Sequence, residues 1–92
     1  MSWERHPLEE LFRGCRKLIR VLRVMLREPD VPMSKYLLES KAMVYDVKPL
    51  LKRLEELGMV TVVTGRPIRY KLNRDNPLVK AVENFMKETG YL

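Results

Sequence analysis

The chain has 92 residues, of which 46% are hydrophobic, and it carries a formal net charge of +6. This length predicts a single domain spanning residues 1–92 with one modest core. The only histidine and the only cysteine are His6 and Cys15, which excludes an intramolecular disulfide and a zinc site built from such ligands. The positive charge favours an acidic partner, most commonly nucleic acid, although many small basic domains bind no such partner.

No apolar run approaches the length that spans a bilayer, and the first residues lack the apolar core of a signal peptide. A single cysteine is typical of a protein in a reducing compartment. We therefore expect a cytoplasmic protein with no membrane segment. Cys15 lies on an apolar helical face, so we predict that its side chain packs in the core as a small apolar residue. The alternative is that Cys15 forms an intermolecular disulfide or acts as a redox sensor.

Apolar residues recur every three or four positions from Leu8 to Met25, which predicts a helix over about 8–27. Gly14 lies inside this helix, where it marks a bend, a close helix approach or nothing. The other side of the helix carries a basic stripe with no acid in it. A solvated face is the first interpretation of this stripe, and contact with phosphates or an acidic partner is the alternative. Its members are Arg13, Arg16, Lys17, Arg20, Arg23 and Arg27.

Two shorter helices are predicted next, over 34–40 and 46–57. Ser34 is the predicted N-cap of the first of them, and Asp46 is the predicted N-cap of the second. With Asp46 as the cap, Pro49 falls at the third helical position, where its missing N–H is not needed. An alternative start near Val44 would place Pro49 deeper in the helix and kink it.

Two strands and a last helix complete the predicted elements. Gly58 follows the last periodic residue of the second short helix, where a left-handed cap is expected. Residues 59–64 and 68–72 have the pattern of two antiparallel strands joined by a turn. Asn76 is the predicted N-cap of a helix over 77–89. The predicted core contains Leu18, Leu22, Leu37, Val47, Leu51, Leu54, Val60, Val62 and Leu72.

The segment LLKRLEELGMV, followed by a strand, a basic turn and a strand ending in IRYKLN, resembles the winged helix-turn-helix regulators of archaea and bacteria. The resemblance extends over roughly residues 18–92. It implies an α+β fold, mostly helical, with a small antiparallel β-wing and a C-terminal helix. It also implies a transcriptional regulator that binds double-stranded DNA.

On this resemblance, the second helix of the motif enters the major groove of DNA. Tyr45 and Lys48, near the start of that helix, are expected to carry base readout, and Lys52 and Arg53 to contact phosphates. Arg66, at the wing tip, suits the minor groove or a phosphate. The full set of predicted DNA-binding residues is Ser34, Lys35, Tyr45, Asp46, Lys48, Pro49, Lys52, Arg53, Arg66, Arg69 and Lys71.

Catalysis is not expected, because His6 and Cys15 lie apart in sequence and no glycine-rich phosphate loop is present. The adjacent pairs at 9–10 and 55–56 are interpreted as solvated glutamates rather than an acid/base dyad. We expect neither a metal nor a cofactor. Against DNA binding, Pro49 has no hydrogen-bonding side chain, and Asp46 repels phosphate unless it caps the helix or accepts a hydrogen bond from cytosine. The alternative function is a winged-helix protein–protein interaction module of a larger assembly, a role that winged helices also have.

A homodimer is also predicted, paired through the first and last helices. The first helix carries more apolar residues than so small a core needs, and those before Leu18 are the surplus. The resembled regulators pair by these same elements. The predicted dimerisation residues are Leu8, Leu11, Phe12, Cys15, Val79, Val82, Phe85 and Met86.

Overall fold

A computed structural model describes residues 6–92 and has the predicted α+β class, with a small antiparallel sheet and a C-terminal helix. The helices in this part of the chain are α1 (Pro7–Leu11), α2 (Arg16–Arg27), α3 (Lys35–Ala42), α4 (Lys48–Glu56) and α5 (Pro77–Glu88). The strands are β1 (Met33–Ser34), β2 (Val60–Val63) and β3 (Arg69–Leu72). The bounds of α3, α4, α5, β2 and β3 agree with the predicted elements to within two residues.

The first predicted helix is wrong as a single element. α1 ends at Leu11, a 3-10 turn spans Arg13–Cys15, and α2 begins at Arg16. Phe12 precedes the turn and Cys15 ends it, with φ/ψ of −102°/39° and −142°/39°, outside the helical region. Gly14, a poor helix former, lies in this turn, and a Cβ there would meet nothing within 4 Å. Cys15 ends this turn and is exposed, so the prediction that it is buried was wrong.

A buried carboxylate lies where α1 turns back on α2. Glu9 is only 1% exposed, so the prediction of a solvated side chain was wrong. Its Oε1 accepts hydrogen bonds from Arg20 Nε at 3.0 Å and Nη2 at 2.8 Å. Its Oε2 accepts one from the Tyr91 hydroxyl at 2.8 Å. A buried charge is tolerated when it is paired and hydrogen-bonded, and both carboxylate oxygens of Glu9 meet that condition.

The basic stripe is not one solvated face, which corrects the first interpretation. Arg20 is turned toward Glu9, and Arg23 is buried with its guanidinium carbon 4.3 Å from the ring centroid of Tyr91. Arg16 and Arg27 remain exposed on the outside of α2. The sequence hid this division because the acid that pairs with Arg20 lies on a separate helix.

The three strands form an antiparallel sheet in the order β1-β3-β2. Val60 pairs with Leu72 and Val62 with Tyr70, and Met33 of β1 pairs with Tyr70 from the other side. β1 was not predicted from the sequence, because two residues are too few for an alternating pattern. β1 leads directly into α3, so its pairing fixes the β2–β3 hairpin beside α3.

The core lies between the helices and one face of the sheet. Six of the nine predicted core residues are buried: Leu22, Val47, Leu51, Leu54, Val60 and Leu72. Leu18 is half-buried, whereas Leu37 and Val62 are exposed, at 39% and 36%. On α3 the inward positions are Leu38 and Ala42, one helical turn apart, so Leu37 points away from them. Val62 lies on the same face of the sheet as buried Val60, but it is nearer the hairpin turn.

The predicted helix boundaries around Gly58 and Asn76 are confirmed. Gly58 follows α4 with φ +73°, the left-handed conformation that glycine adopts without strain. The Asn76 Oδ1 accepts a hydrogen bond from the Leu78 N–H at 2.8 Å and so caps α5. The Asn76 Nδ2 donates to the Leu57 carbonyl at 3.1 Å. One side chain therefore joins the end of α4 to the start of α5.

Replacing Glu9 by alanine is expected to lower the free energy of unfolding by about 3–5 kcal/mol, because it removes the buried carboxylate that accepts hydrogen bonds from Arg20 and Tyr91. The neighbouring Glu10→Ala is the matched control. Glu10 pairs with Arg13 on the surface, and such pairs contribute less than about 1 kcal/mol. Urea unfolding of both variants measures the difference, and equal losses would contradict a structural role for the buried pair.

The stability is also expected to depend on alkaline pH through Tyr91. Burial, followed by the hydrogen bond to Glu9, raises the pKa of the Tyr91 hydroxyl above its ordinary value. A raised folded-state pKa stabilises the protein below the unfolded-state value of about 10, and this contribution is lost as the pH rises above it. The free energy of unfolding of the wild type should therefore fall more steeply above that pH than that of Tyr91→Phe. Parallel pH profiles for the two proteins would contradict this.

Candidate nucleic-acid interface

The turn between α3 and α4 places the start of α4 at the surface. Met43 and Asp46 are both left-handed, with φ of 57° and 62°. The predicted N-cap, Asp46, is wrong: the cap position is Val47, whose N–H donates to Glu39 Oε2 at 3.2 Å. A capping side chain needs an extended backbone at its own residue, which left-handed Asp46 does not have. Asp46 is instead exposed on the turn.

Pro49 lies in the first turn of α4, as predicted, where no backbone N–H is needed. The Asp46 backbone carbonyl accepts a hydrogen bond from Lys17 Nζ at 3.2 Å, so α2 also supports this turn. Tyr45 is 81% exposed just before the helix. These residues form an exposed surface at the start of α4.

A groove separates α4 from the hairpin, and we call it the α4–hairpin groove. Its volume is about 560 Å³, and both Lys48 and Lys52 line it. Arg53 is one residue, or about 100°, further around the helix than Lys52, so it lies on another flank of α4. The residues that line this groove are Asp46, Lys48, Pro49, Lys52, Glu55 and Tyr70.

A second groove, the α3–hairpin groove, adjoins the first and shares Lys48 and Tyr70 with it. Its volume is about 240 Å³. None of the described residues that line it carries a carboxylate, so its fixed side-chain charges are the two lysines. The residues that line it are Lys35, Tyr36, Lys48, Pro67, Ile68 and Tyr70. The structure thus brings together predicted site residues from α3 and α4 beside the hairpin.

The hairpin separates its basic residues by face. Arg66 is exposed at the turn. Arg69 and Lys71 pair with Val63 and Thr61, on the sheet face opposite Tyr70, because successive residues of a strand point to opposite faces. Both therefore point away from the two grooves, and Lys71 borders a separate depression that contains Asp30.

Ser34 is confirmed as the N-cap of α3. Its Oγ accepts a hydrogen bond from the Leu37 N–H at 3.2 Å. Lys35 follows it at the first position of the helix, with its ammonium 5.1 Å from the ring centroid of Tyr36. Ser34 therefore orients the helix that presents Lys35 to the groove.

Two tyrosines of this surface were missed by the sequence analysis. Tyr36 is not among the predicted DNA-binding residues, but it is 65% exposed and lines the α3–hairpin groove. Tyr70 is half-buried at the floor shared by both grooves. The signal for Tyr70 was available: between Arg69 and Lys71, the alternation of β3 assigns it to the inner face.

The predicted dimerisation residues divide into buried and exposed groups. Leu8, Val79 and Met86 are buried within the protomer and belong to its own core. An apolar patch remains outside, formed by Leu11 at 73% exposure, half-buried Phe12 and Val82, and Phe85 at 41%. The rings of Phe12 and Phe85 meet edge to face at 6.2 Å, which joins the α1 end to α5.

Comparisons of the chain with protein-family models, with curated proteins and with solved structures found no significant match. Across residues 6–92, no group of three or more His, Cys, Asp or Glu side chains is placed to hold a metal ion. In the same range, every helix is too short or too polar to cross a bilayer.

Proposed function

We propose that this protein is a winged helix-turn-helix transcriptional regulator that binds double-stranded DNA through α3, α4 and the β2–β3 hairpin. The observation that carries the proposal is the convergence of lysines from two helices beside the hairpin. Lys35 comes from α3 and Lys48 and Lys52 come from α4, and all three line the adjoining grooves. A track of positive charge along a concave surface suits a phosphate backbone.

The order of elements supports the same proposal. Two helices joined by a turn, α3 and α4, are followed by an antiparallel hairpin that β1 holds beside them. In helix-turn-helix proteins the second helix enters the major groove with its N-terminal residues toward the bases. Here Tyr45 and Lys48, at the start of α4, are both exposed.

We propose different roles for the basic residues of this surface. Lys48, at the first position of α4, is assigned to base readout together with Tyr45, whereas Lys52, one turn later, is assigned to phosphate. Arg66 is the basic residue at the hairpin turn and reaches the phosphates or the minor groove. Arg69 and Lys71 lie on the far face of the sheet and are left out of the proposed interface.

A protein–protein interaction module is the second candidate, and the apolar exposure of this surface favours it. Tyr36, Met43, Tyr45 and Ile68 are each more than half exposed. Asp46 and Glu55 also line the α4–hairpin groove and oppose a phosphate there. Binding to random duplex DNA at low salt separates the two candidates, because a protein-binding surface predicts no salt-dependent affinity for DNA.

We also propose that the protein is a homodimer paired through the apolar patch of α1 and α5. Leu11 and Phe85 are large apolar side chains exposed on neighbouring elements, and contiguous patches of this kind are typical of interfaces. A two-fold dimer would present two α4 helices to a palindromic site.

Lys52→Ala and Arg66→Ala are expected to weaken binding to specific and random duplexes alike. Each should reduce the magnitude of the slope of log affinity against log salt concentration by about 0.9, because one phosphate contact and its released counterion are lost. Lys48→Ala should instead reduce the discrimination between specific and random duplexes by about 1–3 kcal/mol if it contacts a guanine. Fluorescence titrations at several salt concentrations measure both quantities.

The matched control for these lysine variants is Lys80→Ala, which removes an exposed lysine from α5. Its affinity and salt dependence should stay close to those of the wild type. If Lys52→Ala and Arg66→Ala behave like this control, the DNA-binding face lies elsewhere, and the exposed arginines of α2 become the next candidates.

Phe85→Glu is expected to convert the dimer to a monomer, because a charge buried in an apolar interface is strongly unfavourable. Light scattering at tens of micromolar protein measures the mass. Val31→Glu is the control, since Val31 is 44% exposed and lies on the loop before β1, outside the patch. A monomeric wild type at this concentration would refute the dimer.

A further inference from the structure

We propose that the α3–hairpin groove holds one unstacked nucleobase of single-stranded DNA, with the neighbouring phosphates on Lys35 and Lys48. This goes beyond the proposed duplex binding, which needs no base outside the helical stack. The groove combines the two components of single-strand sites, which are a positively charged path for the backbone and aromatic rings for the bases.

The aromatic component is unusual in its exposure. Tyr36 lines the groove and is 65% exposed, and Tyr70 of β3 also lines it and is half-buried. Pro67 and Ile68 supply the apolar wall on the hairpin side. Ile68 is itself 51% exposed. An apolar slot with an exposed tyrosine at its edge is suited to a flat ring system, because every nucleobase has a π-face.

The size of the groove limits its occupant. Its volume of about 240 Å³ lies below the roughly 300–1,000 Å³ of pockets that enclose drug-sized molecules. One ring system fits this space better than several. The volume is compatible with a single base in the groove, with the rest of the strand running over the surface.

The charged component is placed for the backbone of the same nucleotide. The Lys35 ammonium lies 5.1 Å from the ring centroid of Tyr36, and Lys48 borders the groove from α4. None of the described lining residues is acidic, so a phosphate next to the bound base meets only positive side chains there. The neighbouring α4–hairpin groove differs in this respect, because the acidic residues Asp46 and Glu55 line it together with the lysines.

The test compares a short oligothymidylate with an oligomer of equal length and charge whose central nucleotides are abasic. Fluorescence anisotropy of end-labelled oligomers at one salt concentration gives both affinities. Wild-type protein should bind the oligothymidylate about 5- to 150-fold more tightly, the range expected for stacking of one base on an aromatic ring. Equal affinities for the two oligomers would overturn the proposal without any variant.

The variants assign this preference to the groove. Tyr36→Leu should abolish most of the preference, whereas Tyr36→Phe, which keeps the ring, should retain it. Lys35→Ala should lower the affinity for both oligomers by the same factor. Lys80→Ala is the control. Because Tyr36 is largely exposed, these proteins should fold with unchanged circular dichroism. A full preference in Tyr36→Leu would place the base elsewhere and overturn the assignment.

A parallel titration with duplex DNA keeps this proposal separate from the proposed function. Duplex binding that is sensitive to Lys52→Ala, together with equal affinities for the two oligomers, overturns the base site alone. A preference for the oligothymidylate that depends on Tyr36, without duplex binding, supports the base site and overturns the regulator of duplex DNA.

Discussion

The buried carboxylate of Glu9 is the constraint on which the helical part of the fold depends. It is bonded by Arg20 of α2 and by Tyr91 after α5, so one charge connects three elements. A carboxylate cannot stay buried unless both oxygens are satisfied, which requires all three elements to be in place together. α2 in turn supports the α3–α4 turn through Lys17, so the position of α4 depends indirectly on this pairing.

Local signals predicted most of the elements, because each has a pattern that fits within one helix or strand. The caps Ser34 and Asn76 and the glycine after α4 mark boundaries by chemistry that acts over two or three residues. The bend between α1 and α2 has no such signal, since the apolar residues keep their spacing through it. The burial of Glu9 is equally invisible, because Tyr91 lies 82 positions away along the chain.

The candidate site was predictable residue by residue but not as an arrangement. Lys35, Lys48 and Lys52 could be selected from their positions near helix starts, yet their convergence depends on how β1 fixes the hairpin against α3. Strand alternation alone could have excluded Arg69 and Lys71. Whether Asp46 caps α4 depends on its backbone conformation, and a left-handed φ at a turn aspartate leaves no trace in a single sequence.

The two hydrogen bonds of Asn76 have a mechanical consequence. The Asn76 side-chain amide caps α5 and also donates to the carbonyl of Leu57 at the end of α4, so it holds the end of α4 close to the start of α5. A Cβ at Gly58 would lie 3.2 Å from this amide, which shows how closely the joint is packed. In a dimer paired through α5, the distance between the two α4 helices would be transmitted through this joint. In such a dimer, a single asparagine would help to set the distance between the two α4 helices.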